Sequence, residues 1–325
     1  METELLTRLQ GRKLQLWQAL LQRAGLEPDT HFHSTVLVWD GDRLAAVGSR
    51  WENLLKCIAV DEDYQGQGLT ATVLTQLRQD AFLAGFRHLF LYTKPKNLLQ
   101  FSALFFYPVA QTEDVLLMEN QPGGITAFLN ALPVGKAEGR IGALVMNCNP
   151  FTLGHQYLVE TAARECDWVY VFILSQEQGP FPADHRLQLV KEGCAEFKNV
   201  TVLPTGPYLI SAATFPTYFL PDREQAPAVH CHLDIAVFTK YFLPKFGITH
   251  RYVGTEPNSP MTAQYNAALK QALPIPVREI PRLEQGGIPV SASRVRSLLG
   301  TGQADKVQPL VPPTTFAYLQ RESFL

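Results

Sequence analysis

Long apolar runs are missing from this chain, and no stretch approaches the roughly 20 residues that a bilayer-spanning helix needs. An integral membrane protein built on helices is therefore excluded. Charge of one sign is missing too. Formal net charge is −2, and the lysines and arginines are scattered without runs, so nothing offers a broad electrostatic footprint for nucleic acid or anionic lipid. Cysteine is sparse: Cys57, Cys148, Cys166, Cys194 and Cys231 are odd in number and far apart, with no C-x-x-C pair. This excludes a disulfide framework and a thiolate zinc site, and predicts reduced, mostly buried thiols. Internal repeats and low-complexity tracts are absent as well. The first residues carry Glu2 and Glu4 where a secretory signal would be basic and then apolar. The expectation is a cytoplasmic protein with neither nucleic acid nor membrane as partner, acting on a small substrate or a local protein partner.

What is present is enough apolar residue for more than one core. With 325 residues, 46% hydrophobic and 18% charged, the chain should divide into about two domains. Leucines at helical spacing predict a helix over 5–26, followed by strands around Val36–Val38, Leu44–Ala46 and Leu54–Val60. The first two make a hairpin at Asp40-Gly41-Asp42, where glycine accepts the positive φ of a tight turn. A helix with Leu74, Leu77 and Ala81 on one face and a strand over Arg87–Thr93 come next. The Gly- and Pro-rich stretch through Asn120-Gln121-Pro122-Gly123-Gly124 to Gly139 marks a boundary. The reading is a first domain over 1–120, a linker over 121–138 and a second domain over 139–325.

In the second domain, strands and helices alternate, which implies a mostly parallel sheet covered on both faces. Strands are predicted at Ile141–Met146, Trp168–Leu174, Val200–Leu203, Arg251–Gly254 and Val277–Ile280. Helical faces are formed by Leu158, Val159, Ala162, Ala163 and Cys166, and by Leu187, Val190, Cys194 and Phe197. Between the first strand and its helix lies Asn149-Pro150-Phe151-Thr152-Leu153-Gly154-His155, at the strand end where open α/β sheets bind ligands. A helix N-terminus there offers free N–H groups and partial positive charge; Gly154 admits a phosphate to the backbone, and Thr152 and His155 add donors. Taken alone, Thr152 is an ordinary helix cap and His155 a surface histidine. A second helix start, Val290-Ser291-Ala292-Ser293-Arg294-Val295-Arg296, places two hydroxyls and two guanidiniums together and suits more phosphate.

This ordered pair resembles the nucleotidyltransferase superfamily with its H/T-x-G-H and I-S-S-T-x-I-R signatures. Within it the second domain is most similar to the citrate lyase ligase family, over Gly142–Asn147, Gly154–Glu160, Tyr208–Phe219, Arg251–Pro257 and Ser291–Arg296. The Thr214-Phe215-Pro216-Thr217-Tyr218 run carries the subfamily assignment. The resemblance implies an acid–thiol ligase with a Rossmann-like domain. ATP, with Mg²⁺, and acetate would give acetyl-AMP and pyrophosphate, and the thiol of the CoA-like prosthetic group on the acyl-carrier subunit of citrate lyase would take the acetyl group, activating the lyase. It implies catalytic roles for His155, Thr152 and Arg296. ATP would be held by Asn149, Phe151, Thr152, Gly154, His155, Ser291, Ser293, Arg294 and Arg296, with Gly254 and Glu256 on the nucleoside side. Tyr208, Ser211 and Thr214 either line the acetate or thiol pocket or satisfy loop backbone.

In the first domain, Gln65-Gly66-Gln67-Gly68-Leu69-Thr70 between a strand and a helix resembles the acetyl-CoA loop of the GNAT acetyltransferases, whose backbone N–H groups cradle a pyrophosphate. Gln65, Gly66, Gly68 and Thr70 would hold the CoA-like arm in a GNAT-like α+β fold. Thr70 stands where that family has Gly or Ala. The position of its general-acid tyrosine, four residues before a Gly-Phe pair, aligns with Phe101 ahead of Phe105-Phe106, and phenylalanine donates no proton. The domain is expected to bind without catalysing. His230-Cys231-His232 with Asp234 offers adjacent ligands that point apart on regular backbone, so no metal site is expected. His31 and His33 share a side if they lie on a strand. Two competing functions are another nucleotidyltransferase, making a dinucleotide-type cofactor, and a non-enzymatic acyl-CoA-binding module.

Overall fold

The computed structural model describes residues 1–135, 138–177, 179–211, 214–256 and 260–324. Lys136 and Ala137 of the expected linker, and Ala212, Ala213 and Pro257 of the segments quoted above, lie outside them. The chain forms two compact units: Met1–Gly124 with Phe215–Ala236, and Ile125–Thr214 with Val237–Leu325. No helix among the described residues is long and apolar enough to cross a membrane.

In the first unit the elements are β1 (Glu2–Leu6), α1 (Gly11–Arg23), β2 (Ser34–Asp40), β3 (Arg43–Trp51), β4 (Leu54–Val60), α2 (Leu69–Leu83), β5 (Phe90–Thr93), α3 (Leu98–Ser102), β6 (Tyr107–Gln111) and β7 (Leu116–Glu119). They build one seven-stranded sheet in the order β1-β2-β3-β4-β5-β7-β6. The helix expected from Leu5 is shorter than its leucine pattern. Glu2–Leu6 pairs antiparallel with β2, so the sheet edge captures the backbone and the helix starts at Gly11. The hairpin turn falls where glycine allows it, with Gly41 at φ 57°. Along α2, Val73, Leu74, Leu77 and Ala81 are buried on the sheet.

The parallel neighbours β4 and β5 pair only at Leu54↔Phe90 and Leu55↔Leu91. Register between β3 and β4 shifts at Val47/Ser49, and Cys57 sits at φ 52°. Such a bulge re-aims a strand, and past Leu55 the two strands part and leave an opening. The segment Phe215–Ala236, expected within the second domain, belongs to this unit. Tyr218 Oη donates to the Tyr92 carbonyl at 2.6 Å, Glu27 N–H donates to the Tyr218 carbonyl at 2.7 Å, and Phe215 stands edge-on to Tyr92 at 5.8 Å.

In the second unit α4 (Gly124–Ala131) occupies part of the expected linker and begins at the unit boundary. It is followed by β8 (Ile141–Met146), α5 (Leu153–Glu165), β9 (Trp168–Ile173), α6 (Ala183–Gly193), β10 (Val200–Pro204), α7 (Ala226–Val237, mostly in the first unit), α8 (Leu243–Phe246), β11 (His250–Gly254), α9 (Pro260–Ala272), β12 (Val277–Ile280), β13 (Glu284–Gln285), β14 (Ile288–Pro289), α10 (Ala292–Gly300) and α11 (Pro313–Arg321). The five-stranded sheet runs β10-β9-β8-β11-β12, with every neighbour parallel. Parallel strands covered on both faces read as continuous apolar runs; Leu144, Val169 and Val171 have no exposed surface. The chain leaves β8 toward β9 on one side, while β11 lies on the other, so the order reverses between β8 and β11. That switch point is where open α/β sheets form a crevice at their carboxyl ends.

Candidate functional site

Thr152 follows β8 and caps α5. Its Oγ1 accepts from His155 N–H at 3.4 Å, and its own N–H donates to His155 Nδ1 at 3.1 Å, a reciprocal capping box. The box fixes the imidazole. Because Nδ1 accepts the amide proton, a neutral ring carries its hydrogen on Nε2. Burial, assisted by the charge of Arg282, lowers the histidine to about 4, so the ring is neutral across the usual pH range.

Gly154 explains how the two motifs meet. A Cβ there would approach the Val290 carbonyl oxygen within 2.6 Å. The first turn of α5 therefore lies against the residue before the α10 cap. Ser291 provides that cap, accepting from Arg294 N–H at 3.2 Å, with Ser293 Oγ 3.0 Å from Ser291 Oγ. The Arg296 guanidinium reaches back and donates to the Asn149 carbonyl. Arg294 Nη1 is buried and has no hydrogen-bond acceptor among the described residues. Two helix N-termini, a neutral imidazole and the Arg296 guanidinium thus meet at the carboxyl end of the sheet, a concentration of N–H donors that suits polyanionic oxygen.

Across the switch point, Gly254 ends β11 and its carbonyl accepts from Asn266 Nδ2 at 2.9 Å. A Cβ at Gly254 would meet only Leu158, at 3.9 Å, so its freedom is not used up by packing. Glu256 accepts from Arg282, whose Nε also donates to the Thr255 carbonyl at 2.7 Å. Arg282 was not singled out in the sequence, although its place just after β12 is a strand-end signal. Arg186 gave no signal at all. On α6 it reads as a solvated arginine, yet it is fully buried and donates to the carbonyls of Phe181, Asn147 and Gln176, tying the loop after β8 to the loop after β9.

Two of the expected ATP-binding residues, Phe151 and Asn149, have buried side chains. Phe151 is fully buried in the core, its ring parallel to His155 at 6.0 Å, so its side chain packs the site from beneath. Asn149 is also buried, 6% exposed. Gln176 Oε1 accepts from both Ser211 N–H and Thr214 Oγ1, and Tyr208 packs on Phe128 at 5.5 Å, beside the carboxyl end of β9. Among the described residues no group of three His, Cys, Asp or Glu side chains is placed to hold a metal ion. His31 and His33 are not on a strand; His33 stacks on Trp51 at 4.0 Å and His31 packs against it, tilted, at 3.7 Å. All five cysteines are free and buried.

In the first unit the parting of β4 and β5 opens a cleft of about 740 Å³, lined by Ile58–Val60, Leu91–Thr93 and the loop residues Gln65, Gly66, Gly68 and Thr70. Tyr218 and Phe219 line it as well. Gly66 and Gly68 sit at φ 78° and 77°, and a Cβ at either would face open space. Conformation demands these glycines; packing does not. Gly68 is the N-cap of α2 and brings no side chain, which leaves first-turn N–H groups available. Thr70 Oγ1 accepts from Gln100 Nε2 at 3.0 Å. Phe101 is buried, edge-on to Phe106 at 6.4 Å.

A glycine-loop cleft in a splayed mixed sheet, followed by a parallel sheet with two helix starts at its switch point, defines an acetyltransferase-like unit joined to a nucleotidyltransferase-like one. The GNAT acetyltransferase family model matches residues 4–100, and the citrate lyase ligase C-terminal domain model matches residues 141–319. Over 288 residues the chain is 43% identical to the citrate (pro-3S)-lyase ligase of Klebsiella pneumoniae, covering 86% of this chain and 84% of that one. The ligase of the same name from Escherichia coli K12 is 37% identical over 96% of this chain and 92% of its own, and that of Haemophilus influenzae 34% over 95% and 96%. The chain belongs to the citrate lyase ligase family, and it is a ligase.

Proposed function

We propose that this ligase activates citrate lyase by acetylating the prosthetic-group thiol of its acyl-carrier subunit, with ATP and acetate as co-substrates and acetyl-AMP as intermediate. A carboxylate oxygen of acetate attacks the α-phosphorus of ATP, the bond to the bridging oxygen breaks, and pyrophosphate leaves. The carrier thiolate then attacks the acetyl carbon, AMP departs with the electron pair, and the thiol proton passes to solvent. Negative charge grows on the phosphates in the first step, where fixed N–H donors are most effective. We assign His155 Nε2–H and the α5 N-terminus to the reacting α-phosphate, and Ser291, Ser293, Arg294 and Arg296 to the departing pyrophosphate. Gly254 would let the nucleoside approach the end of β11. Mg²⁺ enters as part of the MgATP substrate, which matches a site built of N–H donors. Ser211 and Thr214, both held on Gln176, would line the acetate side.

The observation that carries this reading is the close approach of Gly154 to Val290, joined by the Arg296 bond to Asn149, which brings the two motifs together at the carboxyl end of the sheet. In the first unit, the glycine-loop cleft would hold the pyrophosphate-bearing arm of the prosthetic group. A carrier thiol that must stay reduced fits a cytoplasmic enzyme. The test is intact-mass analysis of deacetylated citrate lyase carrier incubated with the ligase, MgATP and acetate. A gain of one acetyl group, stoichiometric with AMP, is expected; acetyl transfer without ATP, or ATP consumption without acetate, would reject the reading.

A further inference from the structure

We infer that the groove beside the C-terminal half of α2 docks the body of the carrier protein, through a carrier surface that is apolar at its centre and carboxylate-bearing at its edge; this rests on the thiol-acetylation reading above. The groove, about 360 Å³, is lined by Arg78 and Phe82 of α2, by Phe86, Arg87 and Leu89, and by Phe105 and Asn120.

Phe105 is the anomaly. Helix α3 ends in a Schellman arrangement, with Phe106 N–H on the Phe101 carbonyl at 3.0 Å and Phe105 N–H on that of Ser102 at 3.1 Å. The residue at its left-handed position, usually glycine, is Phe105 at φ 61°. A bulky residue is disfavoured there, and Phe105 is also 68% exposed. Neither backbone nor burial within the chain favours it, which leaves an external contact. Phe82, 58% exposed, lies under the Arg87 guanidinium at 5.3 Å. Clustered exposed aromatics beside arginine are the usual anchors of a protein interface.

Charge selects the occupant. The only charged side chains lining the groove are the two arginines, and Arg87 makes no ion pair among the described residues. Arg78 donates to the Leu104 carbonyl and stacks over Phe106 at 4.8 Å, which braces the Phe105 loop. A second copy of this chain would bring arginine against arginine; an acidic partner would not. Position selects it too. Leu104 lines the glycine-loop cleft while its neighbour Phe105 lines the groove, so a partner seated on Phe105 has its arm at the mouth of the cleft.

The test uses the full chain with Phe105→Gly and Arg87→Glu. Glycine relieves the left-handed backbone, so its melting temperature should equal or exceed that of the parent. Its KM for carrier should rise by about fivefold or more, with acetate-dependent pyrophosphate exchange unchanged. Arg87→Glu should raise the same KM and flatten its dependence on salt. A carrier KM within about twofold of the parent for Phe105→Gly would overturn the proposal. So would an altered oligomeric state by light scattering with carrier KM intact, which would mark a contact between copies. If the parent enzyme neither exchanges pyrophosphate nor acetylates carrier, the underlying reading fails, a result distinct from either of these.

Discussion

Replacing His155 with glutamine separates its two jobs. Glutamine at this position of a capping box can still reach back to the N-cap amide, so His155→Gln should keep stability within about 0.5 kcal/mol, checked by urea unfolding. It supplies no imidazole at the phosphate, and kcat should fall by about 10² to 10³ in acetate-dependent exchange. Near-parental activity would reduce His155 to a cap. The pH behaviour follows from the same ring. Its value falls from an ordinary 6.5 to about 4 on folding. Between those values the unfolded chain binds more protons, so this stabilising contribution is whole above about 6.5 and is lost as pH falls through about 4. Imidazole NMR should show no His155 titration near 6.5, and the rate profile no break there from this group. A shift of its resonances centred near 6.5 would contradict that.

Arg296 donates to the Asn149 carbonyl and is assigned to pyrophosphate. A planar fork serves two acceptors where an ammonium serves one direction at a time. Arg296→Lys should therefore raise the KM for ATP and lower kcat despite the retained charge, and unchanged steady-state constants would remove its bidentate role. At this scale the sequence singled out Thr152, Gly154, His155 and the Ser291–Arg296 motif as candidates, because each stands at a fixed offset from a helix start. It did not show Arg186, whose partners are backbone carbonyls from the two loops that follow β8 and β9, nor that the Phe151 ring belongs to the core.

At the scale of elements, the glycine loop and α2 should act apart from α5 and α10. Valine at Gly66 or Gly68 is forced to a positive φ it resists, and its branches occupy the open face of the loop. Transfer to the carrier thiol should fall while pyrophosphate exchange is spared. Loss of both activities in a folded variant would make the loop structural; loss of neither would place the arm elsewhere. Strands β4 and β8 have the limits that their apolar runs indicate, because largely buried strands flanked by turn residues leave little choice. The short elements α3, β6, β7 and α4 carry too few periods to be read. Leu5 and Leu6 follow helical spacing yet pair in β1, since a sheet edge outweighs a weak local preference.

At the scale of the molecule, the first unit is not continuous in sequence. Phe215, Tyr218 and Phe219 are each no more than 5% exposed within it, and burying such side chains contributes about 1.5–3 kcal/mol apiece. A fragment ending at Gly124 should therefore lose cooperative thermal unfolding, whereas the full chain keeps it. A sharp melt of residues 1–124 near the full chain's would contradict this. Linear reading could not find the insertion, because the packing that recruits these aromatics involves Tyr92 and Glu27, far away along the chain.

The central claim is that adenylation of acetate is completed by the second unit's phosphate site, before any carrier arrives. Exchange of labelled pyrophosphate into ATP, with MgATP and acetate and with no carrier protein, tests it most directly. Label should enter ATP only when acetate is present, and His155→Gln should abolish most of that exchange. No exchange without carrier, in enzyme that acetylates carrier at full rate, would mean that no free acetyl-AMP step occurs.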